Sequence, residues 1–186
     1  VRCSILSRMD NFKILKTFLI ITTLLIILTF SVFVYTLALQ NNKYQSISEN
    51  LATGYAKMLS GDMIGLVELL ERAEKKNFAD VNDLWGIYLA LKDAELMAQG
   101  ILNLNPLLKN ETVDILSKTR FEVFREDLRQ RLFDFSDYIN NRSKGLPVDK
   151  EEIKKFKEKI IKAQFPTQGQ FSWEEFSAAV SRYFKN

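Results

Sequence analysis

Histidine is absent from the 186 residues, and cysteine occurs once, as Cys3. Without imidazole there is no Ser-His-Asp or Cys-His nucleophile system and no histidine ligand for zinc. A single thiol excludes an intrachain disulfide, a Cys-x-x-Cys redox pair and a thiolate zinc cage. Proline (3) and glycine (7) are scarce, so backbone cradles for phosphate have little to be built from. Neither a G-x-x-x-x-G-K-[ST] loop nor a G-x-G-x-x-G turn occurs, and the Asp-x-Asp-x-Asp-Gly calcium loop is missing too. Strand signals are also missing: there is no sustained alternation and no Asn-Gly or Asp-Gly hairpin turn. The composition, 47% hydrophobic and 26% charged, excludes a disordered chain. We expect no catalytic residues, no cofactor-binding residues and no metal ligands, hence no enzyme.

The formal charge of +3 and the pI near 8.9 invite a nucleic-acid reading. Its distribution argues otherwise. Arg2, Arg8, Lys13 and Lys16 against Asp10 place the whole excess in residues 1–16. Residues 40–186 carry 22 basic and 22 acidic side chains, and residues 17–39 carry none of either sign. A bilayer core of roughly 30 Å needs about 20 apolar residues in a helix. These 23 suffice, and Thr22, Thr23, Thr29 and Ser31 can bond back to helix carbonyls. The expectation is a transmembrane signal anchor contacting the lipid bilayer through residues 17–39. A buried core helix would rarely be so long and uncharged. A cleaved signal peptide has a shorter apolar region and a better small-x-small site than Thr36-Leu37-Ala38. Cys3 precedes the run, where a lipoprotein cysteine would follow it, and a pilin-type leader lacks its Gly and Glu. Four basic residues before the span against Lys43 and Lys57 after it place the N-terminus in the cytoplasm and residues 40–186 outside. The chain opens on Val1; a start at Met9 would remove Arg2 and Arg8 and weaken that orientation.

Beyond the span the sequence reads as helices. Tyr44, Ile47, Leu51, Tyr55 and Met58 form a stripe at 3-4-4-3 spacing, expected to be buried. Ser60, Gly61 and Asp62 are expected to interrupt it. Met63, Leu66, Leu69, Leu70 and Ala73 form the next face, ending near Lys75, Lys76 and Asn77. Another helix opens at Asp80 or Asp83 and runs to about Leu102, with Leu84, Tyr88, Leu91, Ala94, Ala98 and Ile101 inward, before Pro106 closes it. A single long helix is expected over residues 111–139, its seam being Phe121, Phe124, Leu128, Leu132, Phe135 and Ile139. An intramolecular bundle seam is preferred there to a coiled-coil dimer, because the preceding helices carry matching stripes. Asp149 with Glu152, flanked by Val148 and Ile153, is a capping box with a hydrophobic staple. Ser172 with Glu175, flanked by Phe171 and Phe176, is a second, and residues 164–170 connect the two helices.

Five i,i+4 pairs (Glu68–Arg72, Glu71–Lys75, Asp127–Arg131, Glu151–Lys155 and Glu158–Lys162) are taken to mark wet faces. Glu68, Glu71 and Glu74, and likewise Glu122 and Glu126, stand one turn apart, but basic residues interleave them as on solvated faces. Residues 62–95 carry eight acids against four cations, and residues 142–162 the reverse. Mutual neutralisation is the preferred reading, ahead of an anionic ligand; nucleic acid is not expected. Trp85, Tyr88, Trp173 and Tyr183 are expected in core or half-core positions. Asn110-Glu-Thr112 and Asn141-Arg-Ser143 match the N-glycosylation pattern, which makes Asn110 and Asn141 possible acceptors in a host that glycosylates.

The expected architecture is all-α: a basic cytoplasmic tail (1–16), a single-pass cell-membrane helix (17–39), an extracytoplasmic antiparallel helical bundle (40–145) and a C-terminal helical pair (146–186). The expected function is a non-catalytic module for protein–protein interaction, an accessory or scaffold subunit with a protein partner. The alternatives are a ligand-sensing input module working through a separate signalling partner, and a carboxylate-based envelope enzyme.

Overall fold

The computed structural model describes residues 2–167, 169 and 171–185, with side chains from residue 19 onward, Lys118 excepted. Six α-helices dominate, and no strand occurs among the described residues. They are α1 (Arg2–Lys75), α2 (Val81–Leu104), α3 (Asn110–Lys118), α4 (Phe121–Ser143), α5 (Lys150–Ala163) and α6 (Trp173–Tyr183). A short 3-10 turn, Asn105–Leu107, follows α2 and carries Pro106. The chain divides into two compact units, Val1–Tyr44 and Gln45–Asn186.

The first unit is helical along its described length. Its large apolar side chains between Leu19 and Leu39 are 48–66% exposed. The hydroxyls satisfy themselves on their own helix: Thr23 donates to the Leu19 carbonyl at 2.8 Å and Ser31 to Ile27 at 2.8 Å. Thr29 donates to Leu25 and Ile26. The helix is long and apolar enough to cross a membrane.

The second unit begins with residues 45–75 of α1, whose buried row is Ser48, Ala52, Ala56, Leu59, Met63, Leu66, Leu70 and Ala73. The second half of this row follows the sequence pattern; the first half does not. Ile47, Leu51 and Met58 are exposed, and the row beside them, of smaller residues, is buried. Two helical rows one residue apart have the same spacing, so periodicity does not choose between them. Tyr55, from the expected row, is partly buried against the core and meets α2. Gly100 of α2 sits so near the Tyr55 ring that a Cβ there would lie 2.9 Å from its carbons. Nor do Ser60, Gly61 and Asp62 interrupt the helix. One interior glycine costs only about 1 kcal/mol, less than the neighbouring buried side chains contribute.

Helix ends explain the connections. After α1, Phe78 N–H donates to the Ala73 carbonyl and Asn77 N–H to Glu74, with both residues at positive φ. This is a Schellman closure, and the buried Phe78 ring offsets the left-handed backbone. The end of α4 repeats it: Leu146 bonds to Asn141 and Gly145, at φ 75°, to Arg142. The single helix expected over residues 111–139 is two. Arg120 takes φ 56° and Thr119 folds its hydroxyl onto the Leu116 carbonyl. A β-branched residue that bonds its own backbone weakens the helix locally, and the break swings Phe121 and Phe124 into the core. The seam of α4 is otherwise as expected, with Leu128, Phe135 and Ile139 buried and Leu132 packed beside them.

Asp80 caps α2 on Asn82 N–H, Asp149 caps α5 on Glu152 N–H at 3.0 Å, and Ser172 caps α6 on Glu175 N–H at 3.1 Å. The second staple closes with Phe171 and Phe176 centroids 5.8 Å apart. α2 packs along α4, α5 along α6, and α6 also against α3. An aromatic cluster joins them: Phe176 meets Phe121 at 5.8 Å and Phe165 at 6.3 Å, while Tyr183 stands edge-on to Phe124 at 5.1 Å.

If the Tyr55 ring sets the α1–α2 spacing, Gly100→Ala alone lowers Tm. In a Tyr55→Ala background the same change is neutral or stabilising, because alanine exceeds glycine in helix propensity by about 0.8–1.0 kcal/mol. A double-mutant cycle by thermal denaturation measures the coupling; simple additivity would show that the ring does not set the spacing.

Candidate functional site

The two oppositely charged segments meet. Glu74, in the last turn of α1, accepts a hydrogen bond from Lys157 of α5, with Lys154 4.0 Å away. Lys150 donates to the Asn77 side chain at 2.6 Å, and Arg142 Nε to the Ala79 carbonyl at 3.3 Å. The Lys157 hydrogen bond holds the Glu74 carboxyl below its usual range, against partial desolvation. Beside this latch, Asp83 opens α2 with its side chain 6% exposed. Arg72 Nε lies 3.0 Å and Lys76 Nζ 2.8 Å from its carboxylate. These contacts join α1, α2 and α5.

None of the five expected i,i+4 pairs closes. Arg72 turns to Asp83, Lys155 to Glu152 at 2.8 Å, and Arg131 to Asp134 at 3.2 Å and Glu152 at 3.7 Å. Arg72–Asp83 and Arg131–Glu152 join different helices, whereas Lys155–Glu152 and Arg131–Asp134 stay within one helix at i,i+3 spacing. Asp127 and Arg131 accordingly mark an inner face, with Arg131 lying 5.5 Å from the Phe156 ring centroid.

Asp127 accepts a 2.6 Å hydrogen bond from the buried Tyr183 hydroxyl. Lys159 lies 3.9 Å from the same carboxylate and 5.4 Å from the Tyr183 ring centroid. Burial first, then the Asp127 charge, pushes the Tyr183 phenol well above its ordinary value. The phenol is thus a fixed donor that ties α6 to α4. Among the described residues no three acidic side chains converge on a point that would hold a metal ion.

The outer face of α2 and α4 is different in kind. Trp85, Leu89 and Leu96 on α2 and Val123 and Phe133 on α4 are exposed, Trp85 by 47% and Phe133 by 57%. Two shallow depressions lie along it. One, of about 330 Å³, is lined by Tyr88, Lys92, Glu95, Leu96, Arg129 and Phe133 among others. The other, of about 490 Å³, is lined by Gln99, Leu102, Glu122, Val123, Arg125 and Glu126. The Arg125–Glu95 ion pair, 2.8 Å long and mostly covered, bridges the two helices here. Trp85 therefore departs from its expected core position and stands edge-on to Tyr88 at 5.5 Å. Tyr88 and Trp173 are half-buried and Tyr183 is buried, as expected. The sequence does carry a signal for the outer face. Trp85, Leu89, Lys92 and Leu96 repeat at 4-3-4 beside the buried stripe.

Asn110 is the exposed first residue of α3, and Asn141 is half-buried in the last turn of α4. They are on different helices and do not form one site. The basic side chains of residues 2–16 and Cys3 lie outside the described side chains.

In an alkaline titration followed by phenolate absorbance, Tyr183 ionises last. Because its folded pKa is raised, its stabilising contribution is present below the unfolded tyrosine pKa and is lost as pH rises through the folded value. Tyr183→Phe should remove this late step and lower stability by about 1 kcal/mol. A full late step in the variant would refute the assignment to Tyr183.

No family model matches the chain, and neither a curated protein nor a solved structure was found that is similar to it.

Proposed function

We propose that the chain is a single-pass, membrane-anchored module whose helical unit, residues 45–186, works outside the cytoplasm by binding another protein. The observation that carries the anchor is the uncharged helical stretch 17–39, whose large side chains from Leu19 onward are unburied. In water that much apolar surface is unfavourable at roughly 25 cal/mol per Å²; in a bilayer it is solvated. The four basic residues before it and the charge balance after it support an N-terminus in the cytoplasm. The exposed row on α2 and α4 supports the binding role, since contiguous exposed apolar faces on soluble domains commonly mark interaction sites. The charged latch and the Tyr183–Asp127 bond are structural in this reading, and of the two possible glycan acceptors in a glycosylating host Asn110 is exposed and Asn141 half-buried.

Carbonate extraction of membranes tests the anchor. The full chain should stay in the pellet, and the triple change Leu25→Arg, Leu28→Arg and Val32→Arg should release most of it, since each central arginine costs about 2.5–3.5 kcal/mol on insertion scales. A chain that is extracted without substitution is not anchored. An impermeant maleimide on intact cells tests orientation: Ser136→Cys should label and Cys3 should not, and the reverse result inverts the topology. Photo-crosslinking groups at Trp85 and Phe133 should capture one reproducible protein in mild detergent, and a group at Lys154 should not. Equal capture at all three positions would remove the binding role from α2 and α4.

A further inference from the structure

A row on α1, exposed from Ile47 to Met58 and half-buried at Gly61 and Gly65, is distinct from the α2–α4 face. Ile47, Leu51, Gly54, Met58, Gly61 and Gly65 follow one another at 4-3-4-3-4 spacing on one side of the helix. Ile47, Leu51 and Met58 are exposed. This row holds three of the chain's seven glycines, and each costs about 1 kcal/mol against alanine in a helix interior. The packing of this chain does not require them at Gly54 and Gly65, where an added Cβ would meet no atom within 4 Å. At Gly100, by contrast, intramolecular packing leaves no room. Glycines without an internal reason, in line with exposed aliphatics, suit a second helix approaching from outside.

Charge identifies that helix. The row itself is uncharged, so it does not repel its own image. Lys57 and Asp62 flank it on opposite sides, and neither closes an ion pair among the described residues. Lys57 lies 5.9 Å from the Phe171 ring centroid, and the charge bearing on Asp62 is the like charge of Asp93. In a parallel pair of helices packed on a 3-4 row, a flanking residue meets the residue five positions later on the other chain. Lys57 of each copy then meets Asp62 of the other, twice in a two-fold pair.

We propose that this row packs against the same row of a second copy of this chain, giving a parallel two-fold homodimer through residues 47–65 of α1. The parallel direction rests on the anchoring proposed above, which starts both copies from one membrane.

The test uses the full chain in its membrane, with Cys3→Ser and single cysteines at Ile47, Leu51, Met58, Glu71 or Lys92. Oxidation should give disulfide dimers from the first three and not from the exposed controls Glu71→Cys and Lys92→Cys. Lys57→Glu in the Leu51→Cys chain should cut dimer yield severalfold, and adding Asp62→Lys should restore it. Leu51→Glu should abolish cross-linking at Met58→Cys while the helix content by circular dichroism is unchanged, since Leu51 is exposed in the single chain. Membrane-bound chain with no dimer, or with equal dimer at all five positions, overturns the homodimer and leaves the anchor standing. Chain absent from the membrane fraction overturns the anchor and with it the parallel pairing.

Discussion

The second unit depends on the buried row of α1 from Ser48 to Ala73. Its first half is small, with Ser48, Ala52 and Ala56, and its second half is large, with Met63, Leu66 and Leu70. Small residues bring a neighbouring backbone close; large ones hold helices at ordinary spacing. Residues 45–75 hold later parts of the chain near both ends of this row. At the small end Tyr55 lies on Gly100, and Glu49 accepts from Thr112 at 3.0 Å. At the large end Glu74 holds α5, and Arg72 and Lys76 hold α2. One helix thus fixes α2, α3 and α5 from its two ends, and the aromatic cluster adds α6.

Electrostatics in this unit is mainly tertiary. Acids in residues 62–95 and cations in residues 142–162 are separated in sequence and brought together at Glu74, Asn77 and Ala79. The ion pairs with covered members, at Asp83, Arg125 and Arg131, tie different helices. Such pairs add little net stability over apolar packing, but removing one partner leaves a costly charge behind. They therefore select which helices lie together more than they hold the fold against unfolding.

Much of this was legible in the sequence. The all-helical class, the long apolar helix, the end of α1 near Lys75, the caps at Asp80, Asp149 and Ser172, and the seam of α4 follow from spacing and cap chemistry, which are local. Two of the misreadings share a cause. Ile47, Leu51 and Met58 outrank Ser48, Ala52 and Ala56 in hydrophobicity, yet the weaker row is the one the later helices cover. The turning of Arg131 toward Glu152 is likewise decided by another helix, whereas the break at Arg120 goes with a local bond, Thr119 on the Leu116 carbonyl. The outer row of α2 was present as a second periodic set, hidden by the stronger one next to it. Sequence reading found the faces and misassigned one, because which face is wet depends on the other helices.

The latch at Glu74 also bears on how the unit forms. Its partner Lys157 is 83 residues away, Lys150 is 73 from Asn77, and Arg142 is 63 from Ala79. Helical proteins usually fold fast because their contacts are local. Here α2 and α4, or α5 and α6, can meet early, but the last turn of α1 gains its cations only when α5 has arrived. Until then α1 is held by α2 and α3 alone, through Gly100, Asp83 and Thr112, and the end of its buried row lacks the cover of α5. The interval between synthesis of α1 and docking of α5 is when this chain is most open to aggregation or to a chaperone.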